Sequence, residues 1–443
     1  MSAPQLLLAA ALALGCLLWL AMAAAMVRVL AVVPVLGRLT PPAPARWPPL
    51  SLVVPARDEQ DGLLDAARSR LASDYPALEL VLVDDRSRDG TPALVDALAA
   101  EDGRVLALHV RELPAGWLGK VHAMEVGARA AAGEWLLFTD ADVHLAPGAL
   151  RAAVALCEER GADHLVVLPQ IWSSGALLDA VVASFGRLFV LGCRLWAVSD
   201  PESTASTGVG AFNLVRRSAW EAIGGFARLR LAVADDVMLG DLLKRSGARQ
   251  LAVNGRGQVM LHWYRSVGAM LAGLEKGLYG YAGRCRPRRL FAMGALVLAL
   301  DAAPFVALAL ALSAATGDGA RASATGAAVA VPAAMAVAAE AGTSAVAAWP
   351  AWLGWCGGAA LLAGAVVAVL SARWMGARLL PLLLLPVASL LVFAMFVRAG
   401  WKGWRRGGVL WRDTFYPASQ LRAALAGMDA VPRVRGGVRK TAG

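Results

Sequence analysis

From Leu6 to Leu36 the chain is apolar, with Arg28 its one charged residue. That run exceeds the ~20 residues a spanning helix needs, so the chain starts in lipid and any folded domain must hang from it. A cleavable signal peptide is the rival reading. It fails on length, on the lack of an early positive region, and on Arg28, Arg38 and Arg46 lying on the far side of the run. The positive-inside rule then sets residues 1–37 as a transmembrane helix with its N-terminus outside. The domain beyond it faces the cytoplasm and is entered through a stiff Pro-rich linker over residues 38–49.

Residues 290–397 turn apolar again, with candidate spans at Leu290–Leu312, Leu353–Leu370 and Leu379–Val397. An Ala-rich stretch, Ala327–Trp349, is interrupted by Pro332 and Glu340. Counting it gives four C-terminal spans and returns the tail, residues 398–443, to the cytoplasm. Three spans would leave that tail outside, against the charge rule. Between Arg398 and Lys440 ten Lys or Arg face only Asp413 and Asp429. A polybasic stretch directly after an apolar run fits anionic lipid, so the net charge of +10 does not indicate nucleic acid. Trp401, Trp404, Trp411, Phe415 and Tyr416 among those arginines resemble an interface anchor. Asp301 is costly in lipid and should face other helices or a polar cavity. The five cysteines are scattered without metal-ligand spacing and imply a reduced compartment. These features together predict a multi-pass protein of the inner cell membrane.

Residues 50–264 have the composition of a separate α/β domain. Apolar runs at Leu50–Val54, Leu78–Val83, Val105–Val110 and Trp135–Thr139 alternate with Ala-rich helical stretches, which predicts a parallel sheet. Ligands of such sheets bind beyond the carboxyl ends of the strands. Those ends are polar here. Pro55-Ala56-Arg57-Asp58-Glu59 follows the first run and can offer Arg57 or Glu59 to a nucleotide. Asp84 and Asp85 close the second; adjacent carboxylates repel unless a ligand or cation is near, and a nucleobase N–H is a natural partner. Asp89 and Thr91 beyond them suit either a turn and helix cap or a site. Gly119-Lys120 opens a helix, where a Lys opposes the helix dipole but suits a phosphate or a ribose hydroxyl. Asp140-Ala141-Asp142 follows the fourth run. Read as strand, two residues apart means one side, so both carboxylates can converge on one hard cation such as Mg²⁺ or Mn²⁺. His144 reads as a neighbour of that site rather than a ligand.

In order and spacing, these four segments resemble the family-2 glycosyltransferases. The resemblance covers roughly residues 50 to 280. It implies an α/β GT-A (nucleotide-diphospho-sugar transferase) domain with flanking transmembrane helices, similar to the hopanoid-associated or ceramide-type branch. By that resemblance Pro55, Arg57, Glu59, Asp84, Asp85, Lys120 and Asp140 bind the nucleotide-sugar, a uridine nucleotide by analogy, and Asp140 and Asp142 hold the metal. Thr207–Arg217 resembles the family's glycine-bearing acceptor strand, putting Gly208 and Gly210 on the acceptor side; a sheet bulge accounts for the glycines equally well. Val233-Ala234-Asp235-Asp236 falls where the family has an acid pair, with Asp236 the general base and Asp235 its support. The Q-x-x-R-W motif of processive members is absent. His262-Trp263-Tyr264-Arg265 stands in that region, with Arg265 a further acceptor-side candidate.

Leu177–Val198, and residues 265–289 after the domain, carry aromatic and basic residues at helical spacing. Both read as helices lying in the membrane interface, although a buried core helix suits the first as well. The expectation is transfer of one sugar from a nucleotide-sugar to a membrane lipid, metal-dependent and inverting. A processive polysaccharide synthase and a non-catalytic membrane scaffold or lipid-carrier protein are the alternatives.

Overall fold

The computed structural model describes residues 1–315, 349–431 and 433. The span expected at Ala327–Trp349 therefore lies, apart from Trp349, outside the described residues. The chain divides into two compact units, Met1–Ala25 with Ala295–Val369, and Met26–Gly294 with Leu370–Gly443.

In the first unit the helices pack through small residues. Ala9, Leu12 and Cys16 form one cluster with Ala303, Ala307, Leu353 and Ala360. A Cβ on Gly15 would meet that of Ala303 at 2.5 Å, and one on Gly364 would strike the Trp19 ring at 2.3 Å. Such close backbone approach is how helices associate where apolar lipid supplies no hydrophobic drive. Asp301 is buried in helix Pro287–Ala315. Among the described residues, five helices are long and apolar enough to cross a membrane by length and composition: Ala3–Val32, Ala176–Ala197, Pro287–Ala314, Ala351–Met375 and Leu380–Arg406. Four coincide with the spans read from the sequence. The second was read as an interface helix.

The second unit is built on a seven-stranded sheet. Its strands are β1 (Leu50–Ala56), β2 (Leu78–Asp85), β3 (Val105–Val110), β4 (Trp135–Phe138), β6 (His164–Leu168), β8 (Asn213–Arg216) and β9 (Gln250–Asn254), in the order β3-β2-β1-β4-β8-β6-β9. Short strands β5 (His144–Leu145), β7 (Gln170–Ile171) and β10 (Val259–Leu261) form a small separate sheet. The first four strands are parallel, as expected. The sheet as a whole is mixed, because β8 runs antiparallel to both β4 and β6. β8 has only four residues, and its orientation depends on a long excursion of the chain rather than on any local pattern.

Both sheet faces are covered, so β1 and β2 are buried at nearly every position. Each Leu or Val so buried contributes about 1.5–3 kcal/mol. Helix Gly119–Ala130 packs on β1 and β2 at Gly127, where a Cβ would sit 2.6 Å from Val53 and 2.9 Å from Val83. β1 is flanked by β2 on one side and β4 on the other, and that reversal in strand order is where α/β sheets open a binding crevice.

Two expectations change in this unit. Residues 265–289 are not one interfacial helix; they break into Val267–Gly273, Glu275–Gly277 and a wider turn over Leu278–Ala282. The residues expected as a basic tail at the membrane surface are folded in their described part. Helix Leu385–Arg406 leads into a hairpin, β11 (Gly408–Trp411) and β12 (Thr414–Pro417), and then helix Ala418–Asp429. Asp429 pairs with Arg284, and the Tyr416 hydroxyl donates to the Trp117 carbonyl at 3.0 Å. Tyr416 is thus buried in protein, while Trp401, Trp404 and Phe415 are exposed.

Candidate active site

The loop after β1 is a scaffold of side chain to backbone bonds. Asp58 has φ 56°, its N–H donates to Ser87 Oγ at 3.0 Å, and its Oδ1 accepts from the Arg88 N–H at 2.8 Å. The Glu59 N–H donates to Thr91 Oγ1 at 2.8 Å and the Gln60 N–H to Asp89 at 3.2 Å. Asp89 and Thr91 are therefore braces for this loop, and Asp89 Oδ1 also accepts from the Thr91 N–H at 3.0 Å, where helix Thr91–Glu101 begins. Pro55 lies half-buried in β1 beside Val83.

Asp84 and Asp85, consecutive on a strand, point to opposite faces. Asp84 accepts from the Ser87 N–H at 3.1 Å and lies 3.2 Å from His109 Nδ1. Asp85 takes two bonds from Arg86, at 2.7 and 3.1 Å. The repulsion anticipated between them is relieved inside the protein. Gly119 makes room for this pairing, since a Cβ there would lie 2.3 Å from Asp85 Oδ2.

Lys120, next along, reaches across the crevice. Its Nζ is 2.7 Å from Asp140 Oδ1 and 3.2 Å from Asp235 Oδ2. Burial works to lower its pKa, but Asp140, Asp235 and Asp236 outweigh that and hold it well above the ordinary lysine value. Asp140 and Asp142 lie in the turn between β4 and β5 rather than in a strand. Strand alternation therefore does not set their directions. Instead the turn is pinned from both sides: the Asp140 N–H donates to the Gly210 carbonyl at 3.0 Å, and the Arg70 guanidinium donates to the Asp140 carbonyl.

Asp236 stands at the start of helix Asp235–Arg245. Its Oδ2 accepts from the Gly210 N–H and its Oδ1 from the Val237 N–H, both at 2.8 Å. Residues Thr207–Gly210 precede β8 and form a loop that ends in a turn, not a strand. A Cβ on Gly208 would fall 1.8 Å from the Asp236 carbonyl oxygen, and one on Gly210 2.7 Å from Asp140 Oδ2. The two glycines thus let one backbone segment touch both acids. Lys120, Asp140, Gly210, Asn213, Asp235 and Asp236 line one pocket, floored by Met124, Phe138, Phe226 and Leu239. Arg265 is exposed and outside that lining. His144 is held against the Trp172 ring, 5.0 Å between centroids.

The acids differ in charge balance. Asp140 is kept below the ordinary carboxylate value, because Lys120, Lys276 and Arg70 together overcome the effect of its burial. Burial, then the charge of Asp140, pushes Asp142 up to about 6; burial, then Asp142, pushes Glu59 up to about 7. Glu59 and Asp142 are thus hard oxygen donors within electrostatic reach of each other, with Arg412 Nη2 3.9 Å from Glu59. That donor set fits a divalent cation, although no cluster of three or more ligand side chains occurs among the described residues. Mg²⁺ commonly binds one or two carboxylates and completes its shell with substrate phosphates.

Sequence reasoning missed Arg70. It is fully buried under the turn that carries Asp140, with Nε and Nη1 lacking hydrogen-bond partners among the described residues. The signal was present: Leu63, Ala66, Ala67 and Arg70 occupy the buried face of helix Leu63–Leu71 at helical spacing.

Residues 51–220 match the family model described as Glycosyl transferase family 2. That stretch carries a glycosyl transferase family 2 domain. Its α/β domain has the GT-A fold, flanked by apolar helices. Of the pocket lining, Phe226, Asp235, Asp236 and Leu239 lie beyond the family match. Over 125 residues the chain is 35% identical to the succinoglycan biosynthesis protein ExoO of Rhizobium meliloti, covering 28% of this chain and 34% of that one. Over 243 residues it is 23% identical to the 4,4'-diaponeurosporenoate glycosyltransferase of Staphylococcus haemolyticus, covering 54% and 63%. Each alignment spans less than two thirds of the curated relative's length. Among solved structures, the mannosyltransferase PcManGT of Pyrobaculum calidifontis, in complex with GDP-Man and Mn²⁺, is 22% identical. That match covers 83% of this chain and 98% of that one, at a TM-score of 0.47.

Proposed function

We propose that this family 2 enzyme transfers one sugar from a nucleotide-sugar, a uridine nucleotide by family analogy, to a hydroxyl of a membrane lipid, with inversion at the anomeric carbon. One observation carries the reading. Segments far apart in the sequence, Gly119–Lys120, Asp140–Asp142, Gly208–Gly210 and Asp235–Asp236, close around a single pocket through Lys120 and Gly210.

In this reading Asp236 takes the acceptor's hydroxyl proton as the new C–O bond forms and the bond to the nucleoside diphosphate breaks. Burial first, then the charge of Asp235, raises Asp236 to about 6, close to the range in which a general base is effective. Its two backbone N–H donors fix the carboxylate's plane. Lys120 holds Asp140 and Asp235 in register and offers its ammonium to the donor's phosphates. Asp142 and Glu59, with Asp140 beside them, would hold a Mg²⁺ or Mn²⁺ ion. When bound, that ion would offset charge on the departing diphosphate. Pro55, Arg57, Asp84 and Asp85 belong to the nucleoside side of the crevice, while Gly208 and Gly210 shape the acceptor side.

The apolar helices support a lipid acceptor, and the distribution of positive charge supports a cytoplasmic catalytic domain in the inner membrane. The test is mass spectrometry of lipids after incubating the purified chain in nanodiscs with UDP-sugars. Products carrying a single added sugar are expected; only nucleotide hydrolysis, or long polymers, would sink the single-transfer reading.

A further inference from the structure

A second cavity, of about 410 Å³, opens between the broken segment Val267–Ala282, the end of helix Leu385–Arg406 and the β11–β12 hairpin. Its charge is lopsided. Lys276, Lys402, Arg406 and Arg412 line it, against Glu275 as the one acid of the lining. Glu275 is already shared, lying 3.1 Å from Lys402, 3.1 Å from Arg406 and 3.5 Å from Arg398.

Lys276 is the odd member. Its Nζ lies 3.2 Å from the centroid of the Trp411 ring, and it has no carboxylate partner among the described residues. Burial first, then the charge of Lys120, lowers it to about 7; the Trp411 face lies against the ammonium, while Asp235 and Asp140 compensate it without an ion pair. Lys276 is also within electrostatic reach of Lys120, Asp235 and Asp140, which puts the cavity beside the transfer pocket. The helix forming its wall is one of the apolar candidate spans, and Trp401 and Trp404 stand exposed on it. Indole rings of this kind settle at the headgroup level of a bilayer.

Resting on the transferase reading above, we infer that this cavity binds a phosphate-class anion carried on a lipid headgroup, with Lys276 as its central cation and Arg412 and Lys402 beside it. The acceptor would then be recognised by its anionic group while its hydroxyl reaches Asp236.

The test is calorimetric titration of the full chain in phosphatidylcholine nanodiscs. The probes are dioctanoyl phosphatidic acid, dioctanoylglycerol and inorganic phosphate, and the proteins are wild type, Lys276→Met and Lys276→Arg. Wild type should bind the phosphatidic acid about tenfold or more tighter than the neutral lipid or free phosphate. Lys276→Met should lose about tenfold of that affinity and Lys276→Arg should retain it. Equal affinity in wild type and Lys276→Met overturns the assignment, as does free phosphate binding as tightly as the lipid. UDP serves as a fourth probe: if Lys276→Met weakens UDP and spares the lipid, the cation belongs to the donor side and the inference fails. No transfer is measured, so a chain that binds the lipid anion yet transfers no sugar sinks the function proposed above and leaves this site standing.

Discussion

Gly208 lies flat against the carbonyl of Asp236, so that a Cβ on the glycine would fall 1.8 Å from that oxygen. The same contact recurs one turn along, where a Cβ on Gly240 would meet the Thr207 carbonyl oxygen at 1.8 Å. Two backbones in direct contact fix the height of the acid pair above the Asp140 turn. Neither side can yield by rotating a side chain, because backbone meets backbone.

Gly208→Ala should therefore destabilise the domain by about 1–3 kcal/mol, the usual cost of forcing extra volume into a packed site. Gly240→Ala should act in the same direction. Chemical denaturation of the detergent-solubilised chain measures this, and unchanged midpoints for both variants would remove the close contact from the account.

Asp236→Asn keeps the shape of the side chain and removes its basicity. Loss of a general base typically costs ~10²–10⁴ in rate. Turnover should fall by that order while affinity for the nucleotide-sugar stays within a few-fold. Steady-state kinetics paired with donor titration separates the two, and a variant with full turnover would free Asp236 of its assigned role.

Asp142→Ala addresses the cation. EDTA should abolish transfer by the wild type, and Mn²⁺ or Mg²⁺ should restore it. In Asp142→Ala, binding of nucleotide and of Mn²⁺ should weaken together, because the ion would share its shell with the phosphates. Calorimetric binding indistinguishable from wild type would dismiss Asp142 as a ligand.

His109 gives a pH prediction away from the pocket. Its Nε2 is 2.9 Å from Asp96 and its Nδ1 3.2 Å from Asp84. The bond to Asp96 is the main cause that raises its pKa above the ordinary 6.5, with burial opposing and Asp84 adding to the rise. A folded-state value above the unfolded one means the stabilisation is complete below 6.5 and disappears as pH climbs through the folded value. The Tm gap between wild type and His109→Asn should be widest near pH ~6 and close by pH ~9. A gap that is constant or grows with pH would rule out the charged histidine.

Some of this protein is written locally. β1 to β4 coincide with their apolar runs to within two residues at either end; for β1, β2 and β4 the reason is that a parallel strand buried on both faces must be apolar almost throughout. The helices long and apolar enough to cross a membrane are legible for a related reason, since their length and composition stand in the sequence itself. Acids that interrupt such runs at strand ends stand out as site candidates, and the recurrence of these segments in family order pointed to the fold.

The rest depends on which distant residues meet. Nothing near Lys120 in the chain indicates that its ammonium is shared by Asp140 and Asp235. Asp140 and Asp142 looked like strand residues, yet a turn held by Arg70 and Gly210 sets their directions. The basic residues after the last span looked like lipid contacts. In the fold, Arg398, Lys402 and Arg406 surround Glu275, and Arg412 lies 3.5 Å from Asp58. Periodicity and composition report what each residue prefers around it, apolar or polar, helix or strand. The partner of a charge separated by hundreds of residues is chosen by the path of the backbone, and only the tertiary structure decides it.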